Sequence, residues 1–198
     1  MILGITGGTG CGKTTLLEAV RRRGGLALDC DAIYHALLAS DHEMLDSLEK
    51  AFPECFQGGS LQRKQLGALV FSDPQALALL NRITHSAVKR EVKRRLSPAP
   101  ELAAIDAIAL LESGLGQLCD VTVAVLAPRE DRIARLTRRD GITRQYAASR
   151  IDAQHPDAWF RERCDYTLEN NGTCEEFSAK CEEFLNTIKK NGGKPHEY

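Results

Sequence analysis

Apolar and polar positions alternate between two periods along this chain. Residues 2–6, ILGIT, form a short unbroken apolar run that stops at glycines, the pattern of a buried strand. Residues 13–23, KTTLLEAVRRR, switch to a helical period with Leu16, Leu17 and Val20 turned inward, and Gly24-Gly25 ends them. Residues 26–29, LALD, are a second short apolar run. Strand, glycine loop, helix and strand make a βαβ unit, which closes with a right-handed crossover and parallel strands. Three further strands are predicted. ELAAIDAIAL, 101–110, reads as a buried strand with residues leading from it. VTVAVLA, 121–127, is rich in β-branched residues, and DYTLEN, 165–170, is the last.

The remaining segments keep the helical period. From 31 to about 96 the pattern is mostly helical, with Leu61, Leu66, Leu69 and Val70 on a rough common face. Asp73-Pro74 opens a long helix, aspartate as N-cap and proline in the first turn, which stops before Ser97-Pro98. Pro128 starts an arginine-rich helix, Gly141 breaks it, and Thr143 caps another over 144–153. Thr173 to Glu176 spells a capping box for the final helix, and the tail 191–198 is expected to fray. Strands alternating with helices predict an α/β fold, a doubly wound parallel five-stranded sheet. The expected organisation is one domain. Its core is 1–30, 97–127 and 164–190, with a helical insertion over 31–96 and a lid over 128–155.

Composition narrows this picture only a little. A chain of 198 residues can bury a sizeable core unaided. A net charge of −1 gives no general pull toward nucleic acid or membrane. No apolar run is long enough to span a bilayer, and the N-terminus lacks the features of a signal peptide, so a cytoplasmic location is expected. Seven cysteines with no C-x-x-C argue against zinc or a disulfide framework. No apolar stripe stands out as an interface, and a monomer is expected.

The candidate chemistry begins at residue 7. Gly7-Gly8-Thr9-Gly10-Cys11-Gly12-Lys13-Thr14 matches G-x-x-x-x-G-K-[ST] in full, with a strand before it and a helix after it. The glycines let backbone N–H groups turn inward, and these donors, with the positive end of the following helix, hold phosphates. Lys13 reaches the β- and γ-phosphates, and Thr14 offers a hydroxyl to Mg²⁺. By themselves these residues define a site for a nucleoside triphosphate with Mg²⁺ and nothing more. Cys11 within the loop has two readings: a small filler, or an oxidation-sensitive thiol whose pKa is lowered by the helix N-terminus.

Which acceptor takes the phosphoryl group must come from elsewhere. Asp31, just past the second strand, would open on the strand-end edge where ligands bind. It could take a proton from an attacking hydroxyl or bind Mg²⁺ through water, or merely cap the next helix, and the capping and catalytic roles do not exclude each other. Residues 129–150 hold seven arginines and no lysine. Arg132, Arg135 and Arg139 share one helical face, suited to clamp a transferring phosphoryl group, or to pair in solvent with Glu130, Asp131 and Asp140. Arg82, His85, Lys89 and Lys93 are spaced for one face of the insertion's long helix. That face suits a phosphorylated acceptor, or is merely solvated. Together these features describe a small-substrate kinase. The rivals are a kinase of a nucleoside or nucleoside monophosphate, and a nucleotide-bound regulatory module, for which no N-K-x-D guanine reader is present.

In order along nearly the whole chain, the motifs resemble those of the dephospho-coenzyme A kinase family. They are TGGTGCGKT, the LDCD that ends in Asp31, LQRKQLGALVFSDPQALALLNRITH, LLESGL, the arginine pattern from Arg135 to Asp140, Ala153-Gln154, and Asp165 to Gly172. The resemblance implies a P-loop kinase fold and ATP-dependent phosphorylation of the ribose 3′-hydroxyl of dephospho-coenzyme A. It implies Asp31 as the base or hydroxyl-orienting group, and Arg139 as the lid arginine on the ATP phosphates. Arg82, His85 and Lys89 would bind the acceptor, and Asn171 and Gly172 would lie near the adenine. The chain departs from the family in having Ser86 after the histidine, Ile108-Ala109 before the leucine pair, and Asp106 where aliphatic residues are usual. Asp106 reads either as a second acid for magnesium-bound water or as a structural carboxylate.

Overall fold

A computed structural model describes residues 1–190. In chain order the elements are β1 (Ile2–Thr6), α1 (Lys13–Arg22), β2 (Leu26–Asp29), α2 (Cys30–Ser40), α3 (His42–Ala51), β3 (Phe56–Gln57), β4 (Ser60–Leu61) and α4 (Arg63–Ser72). There follow α5 (Pro74–Leu96), β5 (Ala103–Asp106), β6 (Val121–Leu126), α6 (Arg129–Asp140), α7 (Arg144–Asp152), α8 (Asp157–Arg161), β7 (Tyr166–Glu169) and α9 (Cys174–Lys190). The expectation for the tail 191–198 lies outside the described residues.

The chain forms two compact units. The first holds Met1–Asp29 and the residues from Pro98 on; the second is Cys30–Ser97. The first is built on a parallel five-stranded sheet in the order β2-β5-β1-β6-β7. The central strand β1 is therefore the switch point: the chain moves to one side for β2 and β5, then to the other for β6 and β7. Crevices for ligands open at such points, beyond the carboxyl ends of the strands. All six residues of β6 are buried, as an unbroken apolar strand in the interior of a parallel sheet requires. Its Val121, Val123 and Val125 pack with Leu3, Ile5, Leu16 and Val20 and with Phe177, Phe184 and Ile188, so α1 and α9 cover one face. Ala124 and Leu126 meet Phe160 on the other.

Local chemistry explains the boundaries. Asp73 accepts from the Gln75 amide at 2.8 Å and Pro74 begins α5. Thr143 accepts from the Tyr146 amide at 3.2 Å and starts α7. The capping box closes in both directions, Thr173 N–H to Glu176 at 2.7 Å and Glu176 N–H to Thr173 at 3.2 Å. Gly141, at φ 66°, ends α6 in the left-handed conformation that favours glycine. The strand expected within 101–110 is confined to Ala103–Asp106; turns follow it from Ile108 to Gly114.

The second unit carries its own core, with Met44, Leu48, Phe52, Leu66, Val70 and Ala87 buried together. Its helical stretch is interrupted by Asp41, which caps α3 by accepting from the Met44 amide at 2.9 Å, and by the small hairpin β3–β4.

Candidate active site

The loop from Gly7 to Gly12 leaves the carboxyl end of β1 and runs into α1. Its conformation is held from outside by side chains distant in sequence. The Nε of Arg132 on α6 donates to the Thr9 carbonyl at 2.9 Å. One turn on, Arg135 donates to the Gly10 carbonyl at 3.3 Å. Asn170, just past β7, donates through Nδ2 to the Cys11 carbonyl at 2.7 Å. In a trans peptide the carbonyl of one residue and the N–H of the next point opposite ways. Holding the Thr9 and Cys11 carbonyls outward therefore aims the Gly10 and Gly12 amides into the loop, where an anion would sit.

The same approach explains two of the glycines. A Cβ on Gly8 would lie 2.1 Å from the Arg132 guanidinium. One on Gly12, at φ 100°, would lie 2.3 Å from Asn170 Nδ2. A side chain at Gly8 would displace the guanidinium that holds the loop, and one at Gly12 would also sit in a backbone conformation that favours glycine.

Lys13 folds back over the loop, its Nζ 3.0 Å from the Gly7 carbonyl and 3.3 Å from that of Gly8. Its charge is thus held at the loop's mouth on bonds that a phosphate oxygen could replace. Thr14 is exposed in the first turn of α1. Cys11 is fully buried, and burial pushes its thiol pKa up against the pull of Arg132 and Lys13. The reactive-thiol reading of Cys11 is therefore corrected: desolvation outweighs the nearby cations, and the residue packs as a small filler.

The three arginines of one α6 face have separate fates. Arg132 is buried, at 5 % exposure, and also donates to Gln154 Oε1 at 2.9 Å. Arg135 reaches the Asn170 carbonyl and side chain at 3.3 and 3.2 Å. Arg139, with its side chain 62 % exposed, makes a double contact to Asp140 at 2.6 and 3.1 Å. Asp140 also receives Arg150 at 3.0 Å, and these cations hold its carboxyl below the usual range. α6 and α7 pack on each other through Ile133, Leu136, Ala147 and Ile151.

Of the other sequence-predicted residues, Asn171 and Gly172 are exposed beyond β7, and Asn171 accepts from Lys180 at 3.3 Å. The buried Asn170 beside them, which the sequence pattern did not single out, is the residue that meets the loop. Its own backbone N–H donates to the Leu126 carbonyl at 2.7 Å, continuing the β6–β7 pairing. Gln154, within the Ala153-Gln154 motif, was not singled out either. The signal for both was a polar residue beside an element boundary that no local cap required.

Asp106 ends β5, buried, in register between Ile5 of β1 and Asp29 of β2. In the second unit Asp31 lies in the first turn of α2, inside the helix rather than before it. Arg82, His85 and Lys89 follow one another at one-turn spacing on α5. Arg82 lines a cavity of about 250 Å³ with Glu43, Ser47 and Arg90.

A phosphate loop of this sequence, at the carboxyl end of the central strand of such a sheet and ringed by arginines, defines a P-loop kinase. The particular kinase is given by comparison with known proteins. The family model for dephospho-CoA kinase matches residues 1–176, and the chain belongs to that family. Family members phosphorylate dephospho-CoA with ATP in coenzyme A synthesis, so this chain is a phosphotransferase of that kind. A dephospho-CoA kinase of Anaeromyxobacter dehalogenans is 36% identical over 98% of this chain and 94% of its own length. One from Thermus thermophilus is 37% identical over 89% and 86%. Among solved structures, a Thermus thermophilus protein superimposes with a TM-score of 0.80 at 34% identity, covering 95% of this chain and 97% of its own. A shikimate kinase from Acinetobacter baumannii shares the fold alone, at TM-score 0.57 and 17% identity over 96% of this chain and 93% of its own.

Proposed function

We propose that the chain transfers the γ-phosphoryl group of ATP to the ribose 3′-hydroxyl of dephospho-CoA, with the residues of the loop, Asp31 and Arg139 in named roles. The observation that carries this reading is the full phosphate loop at the switch point of the sheet, in a chain matched by the family model over residues 1–176. Asp31, two residues past the carboxyl end of β2, takes or orients the proton of the attacking hydroxyl. The ribose oxygen then bonds to the γ-phosphorus as the bond to the β–γ bridging oxygen breaks, and ADP leaves. Lys13 and Arg139 neutralise charge on the transferring group. Arg139 is free to do so because an exposed pairing with Asp140 is weak. Arg82, His85 and Lys89 hold the acceptor's phosphates, and Asn171 and Gly172 border the adenine of ATP.

Magnesium fits the oxygen donors of the first unit: the exposed Thr14 hydroxyl, and the Asp29 and Asp106 carboxylates in register at the strand ends. Among the described residues there is no group of three or more His, Cys, Asp or Glu placed to hold a metal ion. That suits a cation that is carried mostly by substrate phosphates and water. When bound, Mg²⁺ would supply positive charge that offsets the charge on the phosphates. No helix among the described residues is long and apolar enough to cross a membrane, and all seven cysteines are free thiols; we place the enzyme in the cytoplasm as a monomer.

The test is phosphorus NMR and mass analysis of the product with wild-type protein and Asp31→Asn. A phosphate on the ribose 3′-oxygen, formed by wild type and lost by orders of magnitude in the variant while ATP still binds, is expected. Near-normal turnover of Asp31→Asn would remove the base role, and a phosphate at another position would remove the assigned acceptor atom.

A further inference from the structure

Thr9 is gripped on both of its backbone groups. Its N–H donates to Gln154 Oε1 at 2.9 Å, and its carbonyl accepts from Arg132 Nε at 2.9 Å. The two gripping side chains are joined to each other, Arg132 Nη2 donating to the same Gln154 oxygen at 2.9 Å. The ring Thr9–Arg132–Gln154 is therefore closed by three hydrogen bonds. Thr9 is 6 % exposed and Arg132 5 %, so these bonds are shielded from competing water. Gln154 is fixed in turn by its own backbone N–H, which donates to the Ile151 carbonyl at 3.1 Å at the end of α7. Asp157 adds a distant partner for Arg132 at 3.7 Å.

We infer that Gln154 and Arg132 are positioning residues for the nucleotide. They lock the Thr9 peptide groups so that the loop is preset for phosphate, and they touch no phosphate themselves. The Thr9 N–H is taken by Gln154 and the cradle's donors begin at Gly10. The inference rests on the reading that this loop binds the phosphates of ATP. A loop that wavers between a preset and an open form binds with an affinity reduced by the preset fraction, whereas the bound complex reacts as before. Loss of the clamp therefore acts on ATP affinity and leaves turnover at saturation nearly untouched.

Gln154 is half-buried, so leucine, of similar size but without an acceptor, is accommodated there. The expected result for Gln154→Leu is a dissociation constant for ATP raised about tenfold, the scale of two lost hydrogen bonds. Turnover at saturating ATP stays within about twofold and the KM for dephospho-CoA is unchanged, since the preset fraction affects only nucleotide binding. Gln154→Glu, which keeps an acceptor oxygen for both Thr9 and Arg132, restores most of the affinity. A residue that merely supports the fold would lower the melting temperature without this split and without this rescue. Equal ATP affinity in wild type and Gln154→Leu overturns the clamp while leaving the loop's assignment intact, as does a fall in saturated turnover at unchanged affinity. Wild-type protein that binds no ATP overturns the loop's assignment instead. Arg132→Met, longer than leucine and without donors, repeats the test from the other side of Thr9 and is expected to give the same split.

Discussion

The two ends of α6 carry arginines that look alike in the sequence and do different work. Arg132 and Arg135, in its first two turns, hold backbone carbonyls of the phosphate loop. Arg139, at its end, is exposed and, among the described residues, pairs with its neighbour Asp140. One helical face thus divides into a part bonded to the phosphate loop and an exposed part, to which the proposed function gives the transferring phosphoryl group. A buried guanidinium bonded to main-chain oxygens is fixed by desolvation, because releasing it would leave polar groups unpaired. An exposed ion pair is held by little, since water and salt compete with it. Burial, not spacing, assigns the roles.

Variants that separate binding from transfer break or sharpen this division. The largest effect is expected for Lys13→Ala, which removes the cation at the loop's mouth: kcat/KM for ATP should fall on the order of 10³-fold, read by steady-state ADP release. Arg139→Ala comes next. It should lower turnover about 10²-fold with ATP affinity and melting temperature little changed. An Arg139→Ala variant that loses ATP affinity but keeps its turnover would erase the distinction between the two ends of α6.

Gly12→Ala probes the cage itself. The new Cβ meets Asn170 at 2.3 Å in a backbone conformation that alanine resists. The variant should lose about 1–3 kcal/mol of stability in a denaturant melt, and its ATP affinity should fall with it. The smallest effect is a control in the second unit. Glu91 on α5 is hydrogen-bonded to Arg94 and Arg95, which lower its pKa to about 2. Its folded-state pKa is depressed, so its contribution is fully present above the free carboxylate value of about 4.3 and is lost as pH falls toward 2. The small difference in melting temperature between wild type and Glu91→Gln should therefore shrink between pH 5 and pH 2, while ATP affinity at neutral pH is the same in both.

Much of the fold was legible because it rests on local signals. The apolar runs at 2–6 and 121–127, the Asp73-Pro74 start, the Gly141 stop and the Thr173–Glu176 box each act within a few residues. The phosphate loop was legible for the same reason: its glycines, Lys13 and Thr14 are contiguous. The cage around it was not. Arg132, Gln154 and Asn170 meet Thr9 and Cys11 across 123, 145 and 159 residues of chain, and no short pattern records such a contact. Asn171 looked equivalent to Asn170 in sequence; only the end of β7 decides which of the two turns inward. Cys11 stayed open between filler and reactive thiol for another reason: the charges beside it favour a thiolate, and only its burial, which outweighs them, decides for the filler. The helical period over 31–96 did not reveal Asp41 as a break or the hairpin at 56–61, where short polar turns interrupt an otherwise helical composition.

The most direct test of the whole account is acceptor-dependent ADP release by the wild-type protein with Mg·ATP, offering dephospho-CoA, adenosine and shikimate in parallel. The account predicts release with dephospho-CoA alone, matched mole for mole by a phosphorylated product. Release with shikimate or adenosine and none with dephospho-CoA would contradict it, keeping the P-loop kinase fold but refuting the acceptor.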